Sequence, residues 1–381
     1  MPRRSAQIKA EVPDEPMDTS GAQQKETTGW PTDELRMLSE RVLNTYDTPT
    51  DFAGVPCQEF DLTAFLDAIH IDIINESKDK FELEFDLVGV EAPIANAIRR
   101  VLIAEVPTLA IEKVYLYQNT SIIQDEVLCH RFGLLPVKAD PRQFNWPTEK
   151  IVGINENVDC SEEPAGEPNR NLVFDFHVKC KRNPRAVPSD TAPEALYIDS
   201  SIYSKDFKWC PIGNQAADFA ADPPRMVHDD ILVAKLRPGQ EIEARLHCVK
   251  GVGRDHAKFS PVATASYRLL PTIRLKEPIT GEAAHRLQDS FSKGVIEIKK
   301  QGGVEVAEVV DARRDTCSRN VLRHDDLAAK VELGRKKQHF IFSIESTGAM
   351  PAHELFVDAC KILAAKAAYL RSMCEPKWVT I

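Results

Sequence analysis

Two prolines, Pro93 and Pro107, bracket a mostly apolar stretch and limit where a helix can begin and end. Proline is tolerated in the first turn of a helix, and Pro107 disfavours helical geometry at Val106, the residue before it. The sequence therefore predicts a helix over residues 93–106, about 13 residues and 20 Å long. Five apolar residues recur there with helical spacing: Ile94, Ala97, Ile98, Val101 and Leu102. They share one face, which needs another apolar surface against which to pack.

A second helix with an apolar face is predicted near the end of the sequence. Gly348 and Pro351 precede residues 352–374, in which apolar residues again recur with helical spacing. The residues that share this face are Phe356, Ala359, Leu363, Ala367 and Leu370. Packing against the chain's own sheet explains each of these faces.

Segments with the pattern of β-strands fill the sequence around these helices. Residues 81–87 alternate apolar and acidic side chains, and residues 172–180 and 340–346 place large apolar side chains at every second position. A Pro-Gly pair at 238–239 lies between two further strand-like runs and indicates a hairpin. Thr32, which precedes two acidic residues, indicates the start of a helix. Together these patterns predict an α+β fold.

The order of the predicted elements indicates one α+β domain that is split in sequence by an inserted, mostly β domain. Residues 1–29 carry few large apolar side chains and are expected to form a disordered tail. The split domain is predicted to comprise residues 30–125 and 251–381, and the inserted domain residues 126–250. The two apolar helices then belong to the same domain, although the inserted domain separates them in the sequence.

Composition argues against several classes of protein. The formal net charge of −10 repels nucleic acid instead of attracting it. No apolar run approaches the roughly 20 residues of a membrane-spanning helix, and the first residues lack the apolar centre of a secretory signal. We therefore expect a protein that stays inside the cell. Nine cysteines without a C-x-x-C pair favour neither a disulfide framework nor a thiolate zinc site.

One candidate for catalytic chemistry is the row of carboxylates Glu82, Glu84 and Asp86. Acidic residues two apart share one face of a strand and can hold Mg²⁺, as a metal-dependent hydrolase requires. The solvated face of a half-buried strand has the same pattern, and the sequence contains neither G-x-S-x-G nor H-E-x-x-H. The residues alone favour a partner-binding scaffold. The hydrolase is the alternative, and a simple homodimer is a third hypothesis.

Several segments, in order along the chain, resemble the α-like subunits of cellular RNA polymerases. The most specific is Asn-Ala-Ile-Arg-Arg at 96–100, followed by Glu-Val-Pro at 105–107. Further matching segments lie at 110–112, 120–122, 130–136, 256–271 and 342–348. The segments at 229–232 and 237–241 are most similar to the larger α-like subunit that eukaryotic RNA polymerases I and III share.

This resemblance implies a non-catalytic assembly subunit and names its partners. In this family the split domain pairs with a small α-like subunit, and the heterodimer is the platform on which the two large catalytic subunits assemble. The two apolar helix faces are thereby assigned to the heterodimer contact, and Arg99 and Arg100 to the surface that meets the second-largest subunit. The resemblance further implies a role in synthesis of ribosomal RNA precursor, 5S ribosomal RNA and transfer RNA, in the nucleus including the nucleolus.

The resemblance implies no catalytic residue and no cofactor in this chain, and contact with DNA only through the assembled complex. Some members of the family hold zinc or an iron–sulfur cluster with clustered cysteines. Here Cys160, Cys180 and Cys210 are too dispersed for the zinc site, and Cys317 stands alone where the cluster ligands would lie. We therefore expect no metal site and no membrane contact.

Overall fold

The computed structural model describes residues 31, 33–45, 61–147, 166–186 and 191–374. The tail expected at residues 1–29 lies outside these ranges. The chain divides into two compact units, and the first combines the described residues up to Asp61 with Leu269–Lys337. The second unit combines Leu62–Arg268 with the described residues from Gln338 onward. These divisions differ from the boundaries expected at 125 and 250, and those domain boundaries stay a prediction.

Both helices and antiparallel strands occur, which confirms the predicted α+β class. Across the described ranges the α-helices are α1 (Leu62–Ala68), α2 (Ala92–Ala104), α3 (Asp125–Gly133), α4 (Pro193–Leu196), α5 (Gln215–Asp218), α6 (Glu282–Asp289), α7 (Asp325–Ala328) and α8 (Ala352–Cys374). In this part of the chain, no helix combines the length and the apolar character that a membrane crossing requires.

The strands form several antiparallel sheets. In chain order they are β1 (Glu34–Met37), β2 (Val42–Leu43), β3 (His70–Glu76), β4 (Glu82–Val88), β5 (Pro107–Asn119), β6 (Val137–Lys138), β7 (Leu172–Lys179), β8 (Lys181–Arg182), β9 (Tyr197–Ile198), β10 (Ser201–Tyr203), β11 (Lys208–Cys210), β12 (Arg225–Met226), β13 (Leu232–Lys235), β14 (Glu241–Val252), β15 (Val262–Leu275), β16 (Ile296–Gln301), β17 (Val304–Val309) and β18 (Val331–Ser346).

The structure confirms the two long helices of the sequence prediction. Pro93 lies in the first turn of α2, and the N–H of Glu105 closes the last turn by donating to the carbonyl oxygen of Val101 at 2.9 Å. Strand β5 then begins at Pro107, as expected for a residue that cannot continue a helix. The second helix, α8, spans the 23 residues that the apolar spacing indicated.

In the second unit, β4 pairs with the later part of β18 on one side and with β3 on the other. The side chains of Leu83, Phe85 and Leu87 are buried, as the alternation in this strand predicted. Gly89 follows β4 with φ +81°, and a Cβ at this position would lie 2.1 Å from the carbonyl oxygen of Ala68. Only glycine fits this turn, which lies against the end of α1.

A four-stranded sheet in the order β11-β7-β14-β5 forms the other large sheet of the second unit. Its apolar face is filled by side chains such as Phe132, Phe174, Phe176 and Leu246. The hairpin expected at residues 238–239 is wrong: β14 pairs with β7 and β5, whereas β13 pairs with β10. A tight turn does form there, but both edges of β14 are occupied by longer strands, so the turn joins two different sheets.

In the first unit, β1 lies between β2 and the beginning of β18. The core of this unit comprises Met37, Ile279, Ala284, Leu287, Val295, Ile296, Ala307, Val321, Leu327, Val331 and Leu333. The helix expected after Thr32 is wrong, because Glu34–Met37 is a strand in register with residues 333–336 of β18. Pairing with a distant strand has overridden the local signal for a helix.

Candidate partner-binding surface

Helices α2 and α8 contact each other, so the structure brings the two predicted apolar faces together. Phe356 of α8 packs edge-on against Phe85 of β4, with 4.8 Å between ring centroids, which places α8 on one face of the sheet. Much of the predicted contact is already covered within this chain. The buried members of the two faces are Ile98, Val101, Leu102 and Ala359.

The remaining predicted contact residues differ in exposure. Ala97, Phe356 and Leu363 are half-buried. Ile94, Ala367 and Leu370 are exposed, and 62% of the surface of Leu370 is accessible. The buried members therefore set the position of the helices, whereas the exposed members are available to another molecule.

The outer half of α8 has the largest exposed apolar surface on the two helices. Every residue from 364 to 374 is exposed, over roughly 16 Å of helix. Tyr369 and Met373, each 64% exposed, stand beside Leu370 and were missed by the sequence analysis. A second run of apolar residues with helical spacing could have identified them. It comprises Ile362, Ala365, Tyr369 and Met373.

The first turns of α8 are fixed by ionic contacts as well as by burial. Arg142 Nη2 donates to Glu354 Oε2 at 2.6 Å and to Asp358 Oδ2 at 3.0 Å. The hydrogen bond to Glu354 is the main cause that raises the pKa of the Arg142 guanidinium. Leu355, which lies between Glu354 and Asp358 in the sequence, is fully buried. Its burial and the ion pairs of Arg142 together fix the start of α8 within this unit.

Arg99 and Arg100 lie on α2 in different environments. The Asn96 Oδ1 atom accepts hydrogen bonds from Arg99 Nε at 3.1 Å and from Arg99 Nη2 at 2.8 Å. Arg99 is half-buried and Arg100 is exposed. The Asn-x-x-Arg spacing of the sequence motif thus positions one guanidinium on the helix and leaves the next one accessible to solvent.

The carboxylates considered for a hydrolase do not share one environment. Asp86 is buried, contrary to a fully solvated acidic face, and its Oδ2 accepts a hydrogen bond from His339 Nε2 at 2.8 Å. Glu82 is exposed and Glu84 is half-buried. Within the described ranges, these three residues are not among the groups whose ligand atoms could converge on one metal ion. The geometry therefore gives no support to the hydrolase alternative.

Elsewhere in the described ranges, the side chains of His177, Glu241 and Glu243 on β7 and β14 do lie close together. One possible metal-ligand atom from each lies within 4.8 Å of the other two. Glu241 accepts hydrogen bonds at 2.7 Å from both His177 and Lys179, and these bonds, that of Lys179 above all, lower the pKa of the Glu241 carboxyl. Two residues further along β14, Arg245 lies opposite Asp175 of β7 and forms an ion pair with it. The group is thus part of a ladder of opposite charges across two strands.

Comparison with known proteins agrees with this arrangement of helices and sheets. Residues 84–367 match the RNA polymerase Rpb3/Rpb11 dimerisation domain. Because this match covers most of the chain, the protein belongs to that family of polymerase α-like subunits.

Within the family, the chain is similar to the DNA-directed RNA polymerases I and III subunit RPAC1. It is 48% identical to the Mus musculus protein over 326 residues, which cover 86% of this chain and 90% of that relative. The Saccharomyces cerevisiae protein is 46% identical over 335 residues, 87% of this chain and 96% of the relative. The archaeal polymerase subunit Rpo3 of Archaeoglobus fulgidus is 28% identical over 304 residues, 79% of this chain and 97% of the relative. The resemblance expected from the sequence is confirmed.

Proposed function

We propose that this chain is a non-catalytic assembly subunit of RNA polymerases I and III that forms a heterodimer with a small α-like subunit. The heterodimer is the platform for the two large catalytic subunits, and it supports synthesis of ribosomal RNA precursor, 5S ribosomal RNA and transfer RNA. The chain acts in the nucleus, including the nucleolus. The observation that carries this proposal is the exposed outer half of α8 in a member of a dimerisation-domain family.

The physical argument begins with the cost of leaving this helix uncovered. A helix gains most of its stability in a protein by packing one face, and residues 364–374 are exposed all around the helix. Tyr369, Leu370 and Met373 are each more than half exposed. Burying a large apolar side chain contributes about 1.5–3 kcal/mol, so a partner that covers these three gains a substantial part of a stable interface.

The same helix pair provides one further apolar side chain for the contact. Ile94 of α2 is 37% exposed, whereas Ile98, one turn further along the same face, is buried. The exposed Ile94 adds an accessible apolar side chain at the start of α2. The heterodimer contact therefore combines the outer half of α8 with the accessible part of α2.

Membership in polymerases I and III is supported by the names of the relatives, which describe subunits of both enzymes. Arg100 is the more accessible of the two arginines that we assign to the contact with the second-largest subunit. The net charge of −10 fits a subunit that reaches DNA only through the complex. The nucleotidyl transfer reaction belongs to the assembled polymerase.

The heterodimer is tested by co-expressing the full chain with the small α-like subunit of the same organism and measuring the affinity of the pair. Leu370→Asp places a charge in the proposed contact, and we expect the affinity to fall about a hundredfold or more. Arg371→Asp is the matched control, because Arg371 lies about 100° around the helix from Leu370 and nearly opposite Tyr369 and Met373. It is expected to pair normally. Equal pairing by the Leu370 variant and the original chain would refute the proposed contact.

Membership in the two polymerases is tested separately, by purifying the tagged full chain from cells. We expect the large subunits of both polymerase I and polymerase III to be recovered with it. Recovery of the subunits of one polymerase alone would contradict a shared role.

A further inference from the structure

A cavity of about 540 Å³ beside the end of β7 is lined by four lysines, although the whole chain carries a net charge of −10. All four lysine side chains are exposed. They are Lys179, Lys181, Lys205 and Lys208, and we call the cavity that they line the lysine cavity. Cations gathered in one place on an acidic protein create a local field that attracts anions.

Two paired strands and a turn bring these lysines together. Lys179 and Lys181 flank the buried Cys180, so alternation along the chain places both on the side away from the core. Strand β11 pairs with β7, which places Lys208 opposite Asp175. Lys205 lies in the tight turn Ser204–Asp206, directly before β11. The lysines are therefore held near one another by the sheet and not by a single loop.

Most of these ammonium groups have no carboxylate of the chain beside them. Lys179 Nζ donates to Glu241 Oε2 at 2.7 Å. Within the described ranges, Lys181, Lys205 and Lys208 form no ion pair. Lysine carries a compact charge on a flexible stem, so these three can reach carboxylates of another molecule.

Two arginines extend the positive surface beyond the cavity. Arg182 lies opposite Tyr197, one of the residues that line the cavity. The guanidinium group of Arg237 lies 5.7 Å from the centroid of the Tyr197 ring. Both arginines are exposed. A ligand longer than the cavity therefore meets further cations at its margin.

Carboxylates in the same cavity limit the kind of anion that fits. Glu194, Asp199 and Asp206 line it together with the lysines. Asp206 Oδ2 accepts a hydrogen bond from the N–H of Tyr203 at 2.8 Å. A phosphate backbone brings dense negative charge and no N–H donor, so these carboxylates repel it. An acidic peptide brings carboxylates for the lysines and backbone N–H groups that can donate to Glu194 and Asp199.

We infer that the lysine cavity binds an extended, acidic segment of another protein. In an extended peptide, every second side chain lies on the same side, about 6.6 Å further along. Lys179 and Lys181 have the same two-residue separation, so acidic side chains at alternate positions match them. This inference is independent of the proposed heterodimer contact, because none of the lining residues lies on α2 or α8.

The test measures binding of the full chain to a fluorescent peptide of about ten residues, in which Glu alternates with Ser. Fluorescence anisotropy should show binding that weakens as salt is added, because salt screens exposed charges. The double variant Lys181→Glu/Lys208→Glu should weaken binding about tenfold or more. The matched control, Lys293→Glu/Lys300→Glu, makes the same change of net charge at exposed lysines of the first unit and should bind within about twofold of the original.

Equal affinities of the original chain and the Lys181→Glu/Lys208→Glu variant would overturn this inference, as would equal losses in the two double variants. Single-stranded DNA of the same net charge represents the competing class of ligand. We expect it to bind about tenfold more weakly than the peptide or worse, and tighter binding of the DNA would rule out a protein segment as the ligand.

A second measurement does not depend on any variant. A photo-reactive group on the same peptide should crosslink to residues 177–208 of the original chain, and mass spectrometry of the digested product locates the crosslinks. Crosslinks confined to other parts of the chain would overturn the assignment of the cavity. Thermal unfolding of the full chain checks that both double variants fold as the original does.

Discussion

The ammonium group of Lys366 lies 2.7 Å and 2.9 Å from the two carboxylate oxygens of Glu105, so one ion pair joins the exposed part of α8 to the residue that ends α2. Burial accounts for the contact between the two helices near the start of α8. Further along, where the side chains of α8 reach solvent, this ion pair links the two helices. It holds the exposed part of α8 beside the end of α2.

Removing this ion pair is expected to have a small effect on stability. The two side chains are 53% and 30% exposed, so solvent screens their attraction. A double-mutant cycle with Lys366→Ala and Glu105→Ala should give a coupling of about 0.2–1 kcal/mol in the free energy of unfolding. Denaturant unfolding of the four proteins measures it. A coupling of zero would mean that the pair does not contribute to holding the two helices together.

Replacing Phe85 by alanine should be far more costly. Its ring is 1% exposed, and it lies between Phe342 and Phe356, with centroids 5.2 Å and 4.8 Å away. Loss of such a side chain leaves a cavity and costs about 3–5 kcal/mol. The control is Ile73→Ala on the neighbouring strand, which is expected to lose much less. Similar losses from the two variants would show that the ring does not anchor α8 to the sheet.

Cysteine alkylation offers a footprint of the proposed interface. Cys374, at the end of α8, is exposed, whereas Cys248 is fully buried and its burial raises the pKa of the thiol. In the isolated chain at pH 8, iodoacetamide should modify Cys374 rapidly and leave Cys248 unmodified, because the thiolate is the reactive form. Mass spectrometry of the peptides measures both. Binding of the small α-like subunit should slow modification of Cys374, and an unchanged rate would argue against its position in the contact.

The ladder on β7 and β14 predicts a stability that depends on pH. Hydrogen bonds from Lys179 and His177 lower the pKa of Glu241 below its ordinary value of 4.5. A depressed carboxyl pKa stabilises the folded protein above the unfolded pKa, and this contribution is lost as the pH falls through the folded pKa. Glu241→Gln should therefore lower the melting temperature at pH 7 and have less effect below about pH 4. An equal effect at both pH values would contradict this account.

The sequence correctly predicted those elements whose bounds depend only on neighbouring residues. The prolines at 93 and 107 define α2 through steric restrictions that act within a few residues, and the apolar spacing of α8 is a property of one segment. The helix expected after Thr32 failed because β18, three hundred residues away, offers β1 a strand to pair with. The hairpin at 238–239 failed for the same reason, since the pairing of β14 is decided by β5 and β7.

The predicted contact residues show a second limit of what can be predicted from sequence. Ala359 and Leu370 belong to the same helical stripe, yet the first is buried and the second is exposed. Periodicity indicates which side of a helix is apolar, but not how far the sheet extends beneath it. The exposure of strand β3 could not be predicted from the sequence for a related reason, because an edge strand and a central strand have the same pattern of alternation.

The way α8 is held also has a consequence for the cell. Its first turns are fixed by Leu355 and by the ion pairs of Arg142, while its last eleven residues extend into solvent with Tyr369, Leu370 and Met373 uncovered. In the proposed heterodimer, a copy of this chain made in excess of the small α-like subunit would present an uncovered apolar helix to chaperones and proteases. The proposed pairing would then match the amounts of the two subunits, because only the paired chain covers this helix.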